Sequence, residues 1–189
     1  HVIGWGIHRE KDAAPRVRPE LKSLAPGEAA TLARVEGAGL VRWLKLRADR
    51  NVLANNHLWL EVTIDGESRP AISAPARLFL PGFVGGGKFR NFVLVDRNGL
   101  ASMLAMPFGD GISVAAVNRG DRPIEDFGIE LCYEPATDET REDIRGRMRL
   151  RGTYLPPADD SDELFRIDGD GRWVGLVCDV AGGGDFVID

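Results

Sequence analysis

The stretch from Leu58 to Ile64 constrains the fold of this chain more than any other feature. Apolar and polar side chains alternate along it, and the turn-forming pair Asp65-Gly66 follows directly. A two-residue period places all the apolar side chains on one face of an extended strand, which is typical of a half-buried sheet. The residues on that face are Leu58, Leu60, Val62 and Ile64.

Short segments of the same kind recur, separated by turns that contain glycine or proline. Phe127–Tyr133 repeats the alternation, and 101–108 is a nearly continuous apolar run. Many short strands at this spacing are typical of sandwiches and jelly rolls. The sequence therefore predicts an all-β chain, a jelly-roll β-sandwich with part of a second jelly-roll-like β-unit. The other predicted strands are 29–35, 40–47, 92–96, 100–106, 112–117, 147–152, 163–167 and 173–179.

A charged segment from Thr137 to Arg145 divides the strand-rich regions. It is the best candidate for a helix, because Thr137 is a favourable N-cap and the acidic residues 138–139 suit the positive end of a helix. We expect a first jelly-roll domain over residues 20–135, a linker or short helix over 136–146, and a second, incomplete β-unit over 147–189.

Composition and charge exclude several classes of function. The formal net charge is −5, so we expect no nucleic-acid partner and no binding to a membrane surface, which both favour a basic face. No apolar run reaches the ~20 residues that span a bilayer. The histidines have no triad or metal-ligand spacing, and Gly85–Lys88 lacks the Ser or Thr of a phosphate loop. We therefore expect no metal and no cofactor, while the compartment stays open.

The tryptophans and one arginine raise questions that the pattern leaves open. Trp59 alternates with the apolar face of its strand, so it points outward and can stack on a sugar ring or pack against another sheet or subunit. Trp43 and Trp173 have apolar neighbours, as core residues do. Arg42 falls among leucines on one face, where it needs a carboxylate partner unless the strand boundaries shift.

Several short motifs follow one another in the order that a known family shows. Pro26–Glu28 and the stretch up to Trp43 resemble its "PGE … GPG-I … W" opening, and 58–67 is similar to its "L-x-I-x-x-DGE" segment. Met106–Phe108 matches "PMPF", and Asn118 falls on the following "N-x-G". On these motifs the chain resembles the DUF2961 family, which includes the glycoside hydrolase family 172 enzymes acting on fructofuranosides and arabinofuranosides. The resemblance runs from about residue 24 to the C-terminus.

The resemblance implies a fold, an assembly and a reaction. The family has a double jelly-roll β-sandwich that assembles into trimers or hexamers, so we expect a homo-oligomer. It hydrolyses or transfers furanosides with two carboxylates, which makes a carbohydrate the expected ligand. In such retaining chemistry one carboxylate attacks the anomeric carbon, and the other protonates the leaving oxygen and then activates water.

The chain departs from the family pattern where the nucleophile is expected. Residues 169–175 align with "G-x-G-x-Y-V-G", but the glutamate expected ahead of Gly-Asp falls on Gly183, which has no side chain to react. The "T-E-D" segment that carries the acid/base glutamate does not occur before Asp189. Three explanations stay open: a fragment of a longer enzyme, a non-catalytic relative, and a diverged member that uses other carboxylates, with Asp185 the nearest.

The sequence thus predicts a carbohydrate-related β-sandwich protein without the full catalytic carboxylate pair. The alternatives are an active furanosidase with diverged carboxylates and a purely structural, oligomer-forming jelly roll, so whether the protein is an enzyme stays open. Asp185 is the candidate catalytic residue. The candidate substrate-binding residues are Trp59, Trp173 and Asn118, through ring stacking and polar contacts.

Overall fold

The computed structural model of the protein describes residues 15–53, 56–79, 93–96, 99–102, 104–147 and 149–154. Within these ranges the backbone forms twelve strands and three helices of at most six residues. The prediction of an all-β sandwich is confirmed. The predicted strands 163–167 and 173–179 lie outside the described residues.

Strands far outnumber helices among the described residues. The strands are β1 (Arg16–Val17), β2 (Lys22–Leu24), β3 (Ala29–Glu36), β4 (Gly39–Arg47), β5 (Leu58–Ile64), β6 (Ile72–Pro75), β7 (Val93–Asp96), β8 (Gly99–Ser102), β9 (Met106–Phe108), β10 (Gly111–Asn118), β11 (Ile124–Pro135) and β12 (Gly152–Thr153). The helices are α1 (Arg50–Leu53), α2 (Ala76–Phe79) and α3 (Arg141–Gly146). None of these three helices has the length or apolar character needed to cross a membrane.

The strands form two sheets. One has five strands in the order β12-β6-β5-β10-β3, all antiparallel except for the parallel β12–β6 pair. The other has seven strands, with the path β1-β11-β4-β8-β7, and β2 and β9 added to β11 and β4. The long strands β5 and β10 lie side by side at the centre of the five-stranded sheet.

A single hydrophobic cluster takes residues from both sheets. The apolar set of β5 is buried, as the alternation predicted, and across the β5–β10 pair Val62 lies opposite Val114. Phe108 and Phe127 are the largest of the fully buried side chains, and both belong to strands of the seven-stranded sheet. Each buried side chain of this size contributes roughly 1.5–3 kcal/mol, so this cluster is the main source of stability.

A β-bulge resolves the position of Arg42. Cys132 pairs with Trp43 and the next residue of β11 pairs with Val41, so Arg42 is the extra residue of β4. The bulge turns its side chain away from the core, where it forms an ion pair of 2.5 Å with Glu134. Both side chains are exposed, so of the two alternatives that the sequence left open, the structure shows a shift in the strand pattern rather than a buried arginine.

Helix α3 is shorter than the helix predicted over 137–145 and begins later in the chain. It spans Arg141–Gly146, with Thr140 rather than Thr137 at the N-cap. Thr137 and Thr140 instead hydrogen-bond each other through their backbone N–H groups and hydroxyls, closing a turn ahead of the helix. These local bonds compete with helix formation, as threonine side chains often do.

The residues after α3 differ from the predicted strand 147–152. Of its described residues, 147 and 149–152, only the last enters a strand, since β12 begins at Gly152. The predicted strand 100–106 is also interrupted, and β8 and β9 occupy its two ends. Because β1 and β12 pair with β11 and β6, the described sandwich extends past residues 20–135 on both sides. A second β-unit within 147–189 stays a prediction.

Candidate functional site

The outer face of the five-stranded sheet carries a cluster of aromatic and polar side chains. Trp59 and Glu61 alternate with the buried residues of β5 and therefore point away from the core. In the sheet register Glu61 lies between Ser73 of β6 and Ala115 of β10. The short side chains of both neighbours leave the Glu61 carboxylate within reach of longer groups.

The indole of Trp59 contacts groups from three parts of the chain. The guanidinium of Arg119 lies 3.7 Å from the centre of its ring, a cation–π contact. The ring of Tyr154 meets it nearly perpendicularly, with 5.2 Å between the centroids. Its Nε1–H donates to the backbone carbonyl of Asn56 at 2.9 Å. The ring is half-buried, and its orientation is fixed on all three sides.

Arg119 also connects this ring to a polar network. Its Nη2 lies 3.0 Å from Oε1 of Glu61, and the Ser73 hydroxyl donates to the same oxygen at 3.3 Å. The Glu61 side chain is 26% exposed and that of Arg119 is 44% exposed, so both reach solvent. We call Trp59, Glu61, Ser73, Arg119 and Tyr154 the Trp59 face. It combines two aromatic rings with a donor and an acceptor, the mixture of apolar and polar groups that small-molecule sites use.

Asn118, a predicted substrate-binding residue, is completely buried at the end of β10. Its Nδ2 donates to the carbonyls of Leu24 and Arg122 at 3.1 and 2.7 Å, and its Oδ1 accepts from the N–H of Gly120 at 2.9 Å. The amide therefore holds the turn that begins with Arg119. A sugar contact by Asn118 requires this turn to open.

The other predicted site residues divide by location. Asp185, the candidate catalytic residue, and Trp173 lie outside the described part of the chain, so their roles stay predictions. Trp43 is half-buried on the outer side of the seven-stranded sheet, with the guanidinium of Arg16 5.5 Å from its ring centre. It resembles Trp59 in this pairing, but it lies on the other sheet.

A second polar cluster surrounds Asp65, at the turn after β5. One carboxylate oxygen accepts the backbone N–H groups of Gly109, Asp110 and Gly111 at 2.6, 2.8 and 3.3 Å. The other accepts Nε of Arg149 at 2.7 Å. Both side chains of this ion pair are less than one-fifth exposed. The carboxylate thereby ties the β9–β10 connection and the residues after α3 to the end of β5.

The pKa shifts in this cluster are opposite to those that acid catalysis needs. Burial raises the pKa of Asp65, but the bonds from the backbone and from Arg149 outweigh burial and hold the pKa below its ordinary value. The hydrogen bond from Arg151 lowers the pKa of Glu67. A general acid needs a raised pKa. Among the described residues, no group of three or more His, Cys, Asp or Glu is placed to hold a metal ion.

Comparison with known families identifies the chain. A family model described as "GH172 domain-like" matches residues 15–131, more than half of the 189 residues. The chain belongs to this family. The resemblance seen in the short motifs is confirmed, and the protein is a member of a carbohydrate-related, glycoside hydrolase-like family. No individual curated protein matches the chain.

The part of this GH172 domain-like protein that the family model matches ends within β11. Trp59, Glu61 and Arg119 lie inside the matched range, whereas Tyr154 lies beyond it. The predicted nucleophile region around Asp185 is also beyond the match. The Trp59 face is therefore built from both the matched and the unmatched part of the chain.

The alternation along β5 predicted an outward Trp59, but no sequence pattern predicted the residues that contact it. Arg119 sits in a turn signal, Arg119-Gly-Asp121, and nothing local distinguishes it from a solvated turn residue. Tyr154 follows the segment 147–152, which was predicted as a strand, whereas the observed strand β12 is Gly152–Thr153. A signal was available only for Glu61, because the same alternation that turns Trp59 outward also turns Glu61 outward.

Proposed function

We propose that this GH172 domain-like protein binds furanoside-type carbohydrate on the Trp59 face. We further propose that the described sandwich serves binding and assembly and does not supply the catalytic carboxylate pair. Family membership supports a carbohydrate ligand. The choice of a furanoside follows from the motif resemblance.

The observation that carries the proposal is the composition of the Trp59 face. Sugar rings combine apolar C–H faces with hydroxyl groups, and they favour sites in which aromatic rings adjoin charged or polar groups. Arg119 covers one side of the indole at 3.7 Å. A bound sugar would therefore use the remaining exposed part of Trp59 with Tyr154, and direct its hydroxyls to Arg119 and Glu61.

The charges on the described residues favour binding over catalysis. Retaining glycosidases place two carboxyl groups about 5–5.5 Å apart, and one of them has a raised pKa. Glu61, the carboxylate of the Trp59 face, is engaged by Arg119 and Ser73. Among the carboxylates that the structure describes, the two with shifted pKa values are Asp65 and Glu67, and both pKa values are lowered.

We also propose that the protein is a homo-oligomer, a trimer or a hexamer, as the motif resemblance implies. Support comes from β3, an eight-residue strand at the edge of the five-stranded sheet. Within the described residues it pairs with β10 alone. An edge of this length presents unpaired backbone groups, and proteins usually cover such edges.

The binding proposal is tested by titrating the protein with methyl arabinofuranoside and methyl fructofuranoside, followed by calorimetry or by amide chemical shifts. We expect Trp59→Ala to weaken binding by about tenfold, the effect of losing ~1.4 kcal/mol at an aromatic contact. The matched control is Trp43→Ala. It removes a tryptophan that lies on the outer side of the other sheet and, like Trp59, has an arginine beside its ring.

The control decides between a site on the face and a general effect of losing an indole. Trp43→Ala should change the affinity by less than twofold. Equal affinities of the wild-type and Trp59→Ala proteins would reject the Trp59 face as the binding site. Absence of binding by the wild-type protein to either furanoside would reject the proposed function itself.

A further inference from the structure

Three arginines after or at the end of α3 reach carboxylates at one end of the sandwich. Arg145 Nη2 lies 3.1 Å from Asp110, and Arg149 Nε lies 2.7 Å from Asp65. Arg151 forms two hydrogen bonds with Glu67, one of them 2.6 Å from Nη2 to Oε1. The Arg149 and Arg151 contacts each join residues 84 positions apart. We call residues 145–154, of which 148 lies outside the described residues, the strap.

The strap then continues into the five-stranded sheet. Gly152 pairs with Ile72 and Thr153 with Ser73, in the parallel β12–β6 ladder. The N–H of Gly152 donates to the carbonyl of Ala71 at 3.0 Å. The strap thus passes from the end of the sandwich, where the arginines hold it, to the edge beside the Trp59 face.

The next residue of the strap is Tyr154, which meets the indole of Trp59 edge to face. β12 has only two residues, so the backbone ladder alone holds this edge weakly. Surface ion pairs are also weak one by one, and Arg145 and Arg151 are about half exposed. The position of Tyr154 therefore depends on several such contacts acting together.

We propose that the strap is a positioning element: its three arginine–carboxylate pairs hold Tyr154 against Trp59 and so complete the carbohydrate-binding face. That the ligand is a carbohydrate rests on the proposed function. The placement of Tyr154 against Trp59 does not depend on the ligand, because it is a contact within the chain. Arg149 and Arg151 are positioning residues in this account, since they act on the ligand only through Tyr154.

The test follows the environment of Trp59 directly. The protein is labelled with 5-fluorotryptophan, and the Trp59 fluorine resonance is assigned by its loss in Trp59→Phe. Tyr154→Ala defines the position of this resonance without the tyrosine ring. We expect Arg149→Met and Arg151→Gln each to move the resonance at least halfway to that position. Arg141→Gln, which breaks an exposed ion pair of α3 with Asp138, should leave it in place.

A second set of variants guards against simple unfolding. If Arg149→Met does not fold, the exposed Arg151–Glu67 pair carries the test through Arg151→Gln, Glu67→Gln and the double variant. The two single changes should give equal shifts, and the double variant should give no more, because both remove the same pair. An unmoved resonance in all three, or in Tyr154→Ala, would overturn the proposal.

Sugar binding provides the second readout. Tyr154→Ala and Arg151→Gln should each weaken furanoside binding by about three- to tenfold, the scale of one aromatic contact. Wild-type affinity in both variants would reject the role of the strap in binding. If the wild-type protein binds no furanoside, the proposed function fails, whereas the fluorine shifts still decide whether the strap positions Tyr154.

Discussion

Replacing Asp65 by alanine is the sharpest test of how the sandwich end is held together. Its carboxylate accepts three consecutive backbone N–H groups, from Gly109 to Gly111, and the guanidinium of Arg149. Two of the backbone bonds, at 2.6 and 2.8 Å, are short, and the third, at 3.3 Å, is long. The side chain is 19% exposed, so water replaces these contacts only in part.

The expected loss of stability follows from these contacts. A hydrogen bond to a charged group contributes about 1.5–3 kcal/mol, and a partly exposed site lies at the low end of that range. Asp65 also has a φ of 55°, a left-handed conformation that disfavours alanine by roughly 1 kcal/mol. The two shorter backbone bonds at about 1.5 kcal/mol each, with about 1 kcal/mol for the backbone conformation, lower the expected free energy of unfolding of Asp65→Ala by about 4 kcal/mol. The long third bond and the partly solvated ion pair add little to this loss. Asp65→Asn keeps an acceptor and tolerates this φ, so we expect about 2 kcal/mol.

Urea denaturation at neutral pH measures both losses. The matched control is Asp126→Ala, because Asp126 has a similar φ of 53° and lies exposed on the surface. It should cost only the roughly 1 kcal/mol of the backbone conformation. Equal losses in Asp65→Ala and Asp126→Ala would show that the contacts of the Asp65 carboxylate do not stabilise this end of the sandwich.

The pH dependence gives an independent check on the Asp65 carboxylate. Its pKa in the folded protein lies below the ordinary value of 3.8. The charged form is therefore the stabilising one, and its contribution is present above about pH 4 and is lost as the pH falls through the folded pKa. The charges that face it are Arg149, with Glu67 and Arg151 nearby. The stability difference between wild type and Asp65→Asn should shrink from pH 7 to pH 3; an unchanged difference would contradict this assignment.

Two further predictions concern assembly and catalysis. Light scattering at micromolar concentration should give the mass of a trimer or hexamer, and a stable monomer would count against the proposed oligomer. Turnover of p-nitrophenyl arabinofuranoside and fructofuranoside analogues should be negligible, because Gly183 stands where the nucleophile is expected and acid–base assistance alone is worth ~10²–10⁴-fold in rate. Robust turnover that Asp185→Ala abolishes would reverse this prediction and identify Asp185 as the residue that carries catalysis.

The strands were predictable because burial of one face leaves a local record in the sequence. β5 has the predicted bounds, and β3, β4 and β10 differ from the predicted strands by one residue at one or both ends. In each, alternation is enforced by a core that accepts one face and excludes the other. No longer-range information is needed to recognise such a segment.

Features that depend on distant partners were not predictable in the same way. The bulge at Arg42 is set by the register against β11, some ninety residues away in the chain. β12 exists because a two-residue segment pairs with β6, and its own sequence carries no strand period. The Trp59 face has the same origin, since β5 supplies the outward tryptophan while Arg119 and Tyr154 come from a turn and from the strap.

Asn118 and Arg119 are neighbours in sequence, but the two-residue period of β10 buries the first and leaves the second exposed. Asn118 falls in step with Ile112, Val114 and Ala116, the buried residues of β10, so the pattern that predicts the strand also directs the asparagine inward. A buried amide must satisfy its hydrogen bonds, and Asn118 does so by holding the turn that follows. Arg119 is the first residue past the strand, and that turn carries its guanidinium onto the ring of Trp59. The buried amide therefore supports the exposed cation, and Arg119 rather than Asn118 is the residue that we propose as the ligand contact at this position.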